Sequence, residues 1–289
     1  AYALESAFEQ AKDTCYYKLA FNDTYFDQCI TQKNKYDSMP ILCINTTRVQ
    51  DGNPGIVSSI QLNSTLFNNR VDVVSLLDKD ITIPLSTASI LGARFPYMSP
   101  AGNIKQHFIK KDTTEGKKDS TINHYFVDGG YFDNSGAGVV QEMIRSIIEI
   151  SDTVRNPVLK QRMKKIKIVV LHITNSPQGY IKLTPVTPFR NDLTSPLLTI
   201  LGAYDMQTTV NDMRLKSFTS DVNSRPDSMA ISKAIYYPIH LYTDPTERGD
   251  TSRGPFAMNW FISDSVRNQM DRRLIKQPKL NRLINGINP

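Results

Sequence analysis

Asp128, Gly129 and Gly130 stand between two stretches of different character. His124-Tyr-Phe-Val127 before them is aromatic and β-branched and reads as a strand. Asn134-Ser-Gly-Ala-Gly138 after them reads as the mouth of a helix, with Asn134 or Ser135 as its N-cap. A carboxylate where a strand ends and a loop feeds a helix sits at the edge where α/β sheets build their sites. It can orient or deprotonate a nucleophile there. It can also do no more than hydrogen-bond its own turn. Gly129 and Gly130 bring backbone freedom that no residue with a side chain has.

The flanking elements must hold that carboxylate. Val139, Val140, Met143, Ile144, Ile147 and Ile148 follow the spacing of one helical face. A basic loop follows, then Ile166–Ile173, a continuous apolar run expected as a central strand. Strand, helix and strand predict a βαβ unit with a parallel pair. Upstream, Met39–Thr47 reads as a strand buried on both sides. Asp51-Gly-Asn-Pro-Gly55 is a turn, and Ile56–Leu62 is a second strand beside the first. Ser86–Phe95 predicts a short helix capped by Ser86 or Thr87 and stopped by Pro96. Asn103–Asn123 is long and charged and reads as an exposed loop. Residues 1–38 read as helical, and Leu197–Phe218 as a long helix. Ala234–Tyr242 reads as a strand that Pro238 assigns to an edge or a bulge. Asn259–Leu274 reads as a helix, and Pro278 opens another.

The chain has 289 residues, of which 40% are hydrophobic, enough for a sizeable core. A net charge of +6 is too mild a bias for a nucleic-acid binder. Its basic clusters, such as Lys110, Lys111, Lys117 and Lys118, read as solvated surface or as contact with anionic lipid headgroups. Cys15, Cys29 and Cys43 form neither a disulfide framework nor a metal pattern. No apolar run approaches the length that spans a bilayer.

Several chemistries are missing. Gly136-Ala-Gly138 is half a dinucleotide fingerprint, but Gln141 stands at the third glycine and no acidic residue is placed for a ribose. The chain has no phosphate loop of the Walker type and no His-Glu-x-x-His. Its four histidines are scattered. His172 lies in an apolar strand and reads as a satisfied core histidine, while His124 is the one nearest Asp128. Gly-x-Ser-x-Gly and Ser-x-x-Lys are both absent, and a lone carboxylate cannot run acyl transfer.

Asp128-Gly-Gly, with Tyr131–Asn134 after it, resembles the Asp-Gly-Gly/Ala motif of the patatin-like phospholipases. Pro40–Gly52 is similar to that family's Pro-x-x-x-x-Asn-x-Thr-x-x-x-x-Gly strand, and Ser86–Gly102 to its Ala-Ser-x-x-x-Pro-x-Phe-x-Pro segment. Trp260-Phe-Ile-Ser263 resembles a Gly-Trp-x-x-Ser stretch of large bacterial members, with Asn259 in place of the glycine. Order and spacing fit over roughly residues 35–150. The resemblance implies a three-layer α/β/α fold with a mainly parallel sheet that includes Ile41–Thr46 and Ile166–Ile173. Asp128 would end a strand at its C-terminal edge, with the Ser86 helix walling the site.

The family's site is a Ser-Asp dyad with a glycine-rich oxyanion loop. Asp128 would take the serine proton, and Gly129 and Gly130 would let the backbone pass close to that serine. The family's serine and oxyanion loop belong before Pro40, so residues 1–289 read as a single domain, the C-terminal part of a patatin-like domain without its first strands. The resemblance implies a lipid acyl hydrolase acting on a lipid or acyl ester, with no metal or cofactor. This chain alone would be inactive, and any membrane association would come through the rest of the protein. The rival expectations are a patatin-like module that binds lipid or protein without catalysis, and an unrelated α/β binding domain in which Asp128 only shapes a turn.

Overall fold

A computed structural model describes residues 5–6, 41–63, 65–78, 81–94, 99–112, 116–174, 195–240 and 263–287. The helical expectation for residues 1–38 falls outside them, apart from Glu5 and Ser6, and the Trp260 stretch falls outside them too. The fold is mixed α/β, in two compact units, Ala1–Met143 and Ile144–Pro289.

The first unit is built on a five-stranded sheet. β1 (Cys43–Arg48) and β2 (Pro54–Ser58) form an antiparallel hairpin across the expected turn. Gly52 takes a φ of +69° there, which favours glycine, and the Asp51 carboxylate accepts from the Asn53 N–H at 3.1 Å. β2 also pairs in parallel with the short β3 (Val71–Asp72). β5 (Gly116–Asp128) lies antiparallel to β1 on its other side, and β4 (Gly102–Asp112) lies antiparallel to β5. The order is β3-β2-β1-β5-β4. Three of its four neighbouring pairs are antiparallel, so this sheet is not the mainly parallel one expected.

Residues 103–123, expected as a loop, are the body of the β4–β5 hairpin, in register from Gly102 opposite Phe126 to Asp112 opposite Gly116. An antiparallel ribbon can face water, so polar residues along it do not argue against a strand. β2 is covered on both faces. Val57 packs with Val73, Ala88, Leu91, Ile104 and Phe126, while Ile56 packs with Leu62, Phe67 and Val139. Successive residues of a strand point to opposite faces, so one dipeptide serves two clusters. Ala88 and Leu91 belong to α1 (Leu85–Leu91). Its N-cap is Pro84, and Ser86, expected as the cap, is fully buried inside the helix.

β5 ends at Asp128 and runs into a single helical turn, α2 (Gly130–Asp133). α3 (Ala137–Thr153) follows. Its buried side is rotated from the expected one: Val139, Ile144 and Ile148 are buried, but so are Glu142 and Ser146, while Ile147 is exposed.

In the second unit the stretch expected as a basic loop contains α4 (Pro157–Met163). Asn156 caps it by accepting from Val158 N–H (3.0 Å) and Leu159 N–H (3.2 Å), and Pro157 opens it. β6 (Ile168–Thr174) and β7 (Ala234–His240) form a parallel two-stranded sheet with His172 opposite Pro238. β6 is therefore not the parallel partner of β5, and the βαβ expectation does not hold among the described residues. Nor is β6 buried on both sides: Val170, His172 and Thr174 are buried, while Val169, Leu171 and Ile173 are exposed. A continuous apolar run does not reveal which of its faces is covered. α5 (Ser195–Asn223), α6 (Asp264–Ile275) and α7 (Pro278–Ile287) complete the unit. Ser263 caps α6 through the Val266 N–H.

Candidate functional site around Asp128

Three segments of the first unit converge on the end of β5. Asp128 stands opposite Thr46 of β1 in the antiparallel register. Its N–H donates to the Arg94 carbonyl (3.0 Å), and the Gly129 N–H donates to the Gly92 carbonyl (3.1 Å). The stretch that leaves α1 is thereby laid along the Asp128 turn. The Thr46 hydroxyl donates to the Val127 carbonyl at 2.7 Å and lies 3.4 Å from the Leu91 carbonyl, so it joins β1, β5 and α1 at one point. The short helix thus packs beside the turn, as expected.

The glycines matter here for closeness, not for handedness. Gly129 has an ordinary φ of −68°. A Cβ built on it would lie 2.5 Å from the Asn45 carbonyl carbon and 2.6 Å from the Asn45 Cβ. A Cβ on Gly92 would lie 2.6 Å from the Asn45 carbonyl oxygen. The Asn45 backbone is therefore held between two glycines that also bond each other. A Cβ on Gly130 would meet Asp128 Oδ1 at 2.9 Å.

That carboxylate is half-buried. Asp128 Oδ1 accepts from the Gly130 N–H at 2.7 Å. Burial pushes its proton affinity above the ordinary aspartate value, and the Gly130 N–H offsets this only in part. Among the described residues no cation is paired with it. An aspartate of this kind is a stronger base than one in water.

The other end of the turn is tied down by buried charge. The Asp133 carboxylate accepts from the N–H of Gly138 (2.9 Å) and of Val139 (3.4 Å) and so caps α3. Ser135, an expected cap, contributes a longer bond from the Ala137 N–H (3.4 Å). Gly136, with a φ of +73°, folds the chain back so that Asp133 reaches the helix. Arg70 is buried beside it, with Nη2 3.9 Å from Asp133 and Nε 2.5 Å from Glu142 of α3. Its guanidinium carbon lies 5.5 Å from the centre of the Phe132 ring. The Asn45 side chain donates to the Asp133 carbonyl at 3.0 Å.

The structure does not bring His124 to Asp128. Its Nε2 lies 3.0 Å from Gln106 Oε1, across the hairpin. His172 is a core histidine as expected, but only half satisfied: Nδ1 lies 2.6 Å from the Tyr236 hydroxyl, while Nε2, 3.2 Å from Asp212, makes no hydrogen bond among the described residues. Among the described residues no group of three or more His, Cys, Asp or Glu side chains could hold a metal ion. Sequence reasoning missed Arg70, Gly92, Asp133 and Glu142. Asp133 had a signal, an acidic residue just before a helix. Arg70 and Gly92 had none, because their roles depend on contacts far along the chain. No protein-family model, curated protein or solved structure matches this chain.

Proposed function

We propose that this chain supplies the aspartate of a Ser-Asp dyad in a patatin-like lipid acyl hydrolase. On this reading the serine and its oxyanion loop lie outside these 289 residues, and the described α/β units belong to a three-layer patatin-like domain. The observation that carries the reading is the state of Asp128: half-buried, at a strand end, with one carboxylate oxygen held by the Gly130 N–H and no cation among the described residues to neutralise it. The serine oxygen would attack the ester carbonyl while its proton passes to Asp128. The proton would then go to the departing alcohol as the acyl-enzyme forms, and a water would repeat the sequence to release the acid. The substrate is a lipid or other acyl ester.

The test compares the whole polypeptide with its Asp128→Asn variant on a short p-nitrophenyl ester. Turnover that is blocked by a serine-directed phosphonate and abolished by the substitution, with the thermal transition retained, is the expected result. The 289-residue chain alone should match buffer. Turnover that survives Asp128→Asn would return the residue to a turn-shaping role. A whole protein without turnover would favour the module that binds lipid or protein without catalysis.

A further inference from the structure

We infer that Arg70 is a positioning residue for the Asp128 carboxylate, acting through Asp133 and the single turn of α2. Its bearing on catalysis rests on the hydrolase reading above, but its geometry does not.

Among the described residues Asp128 Oδ1 is aimed by one donor, the Gly130 N–H. Gly130 is the first residue of α2, and the Phe132 and Asp133 N–H groups close that turn on the Gly129 carbonyl, at 3.0 and 2.9 Å. A single helical turn does not hold itself in water. Its order must come from what grips it: the Gly92 and Arg94 carbonyls hold the chain at its start, and the Arg70 cluster holds its C-terminal end. Arg70 faces both of its last two residues, the Phe132 ring and the Asp133 carboxylate, and is anchored in turn by Glu142 of α3. Asn68, two residues before Arg70, donates to the other Glu142 oxygen at 3.1 Å. A Cβ on Gly138 would stand 2.8 Å from Arg70 Nη2 and 2.9 Å from Asp133 Oδ2, so the space for this arrangement is kept open by a glycine.

The cluster is a poor device for stability alone. Arg70 Nη1 is buried without a hydrogen-bond partner among the described residues, and apolar side chains of similar volume hold a helix start as well as buried ions do. What ions add is direction. A planar guanidinium set against two carboxylates and a ring permits one orientation of the turn, and therefore one aim of the Gly130 N–H.

The test reads that N–H directly, in the 289-residue chain. The Gly130 amide resonance should shift with pH as Asp128 takes up a proton, and Asp128→Asn should abolish the shift. In Arg70→Lys, which keeps the charge and loses the fork, the amplitude should fall by about half or more, because the bond to the ionised carboxylate is what the resonance reports. Glu142→Gln, which loosens the anchor of Arg70, should act in the same direction, and it serves should Arg70→Lys fail to fold. Unchanged amplitude and midpoint in a folded variant would overturn the inference. Ester turnover of the whole protein is read separately. If Asp128→Asn leaves turnover intact while Arg70→Lys moves the Gly130 resonance, the hydrolase reading fails and the positioning role stands.

Discussion

Gly129 is packed against Asn45 so closely that any side chain would have to displace the β1 backbone, not a flexible side-chain end. Gly129→Ala should therefore destabilise by about 2 kcal/mol or more, since backbone must shift to admit the methyl group. In a chain of this size that is a fall of about 3 °C or more in a thermal melt. Gly136→Ala makes the contrast. It has open space around it and a φ of +73°, so its cost of about 1 kcal/mol comes from conformation alone. Equal losses for the two variants would contradict the close approach.

Asp128 should work against stability at neutral pH. Its proton affinity in the folded state is raised, so folding favours the protonated form. The favourable contribution is complete below the ordinary aspartate range and is lost as pH rises through the folded-state value. Asp128→Asn should then melt higher than the parent at pH 7, with the gap closing as pH falls towards 4. Melting curves across that range check it, and a variant less stable at pH 7 than at pH 4, relative to parent, reverses the sign.

Asp51 should behave in the opposite way. Its hydrogen bonds from Arg48 hold its carboxyl down at about 2, well below the ordinary 3.8. The stability it contributes is present above 3.8 and is lost as pH falls through about 2. The pair is solvent-exposed, so Asp51→Asn should cost only about 0.5 kcal/mol, and less at high salt. Denaturant titrations at low and high ionic strength test both parts.

Asn223 does the work of a strand residue from the end of a helix. Its side-chain amide donates to the Ala234 carbonyl and accepts from the Ala234 N–H, both at 2.8 Å. Ala234 is buried at the start of β7. Asn223→Ala leaves a donor and an acceptor without partners and should cost about 2 kcal/mol by urea unfolding. Asn223→Asp would restore only the acceptor and should recover part of that loss at most.

What was legible in the sequence was local. The Asp128 strand end, the Gly52 turn, the β1–β2 pairing and the burial of His172 all follow from residues whose meaning is set by near neighbours or by simple chemistry. Strand partners were not legible. Nothing in Ile166–Ile173 distinguishes a central strand from one with an exposed face, because an apolar run does not carry that information. The β4–β5 ribbon does not read as strands in the sequence because a charged stretch does not rule out a ladder in an antiparallel pair. At the site, Asp128 announced itself through its glycines, whereas Arg70 meets Asp133 and Glu142 from more than sixty positions away in sequence. Its position could not be read from spacing.

The β4–β5 hairpin bears on how such a chain can diverge. Phe126 fills the core and Asp128 ends the same strand, so both are phased by one ladder that runs out to Asp112 opposite Gly116. An odd insertion in either strand between that far end and Phe126 would turn core residues outward and carry the carboxylate off its turn. Matched insertions at the far end would lengthen the arm and leave phase intact. The arm is free to vary in length between related chains, and the two residues after Phe126 are not.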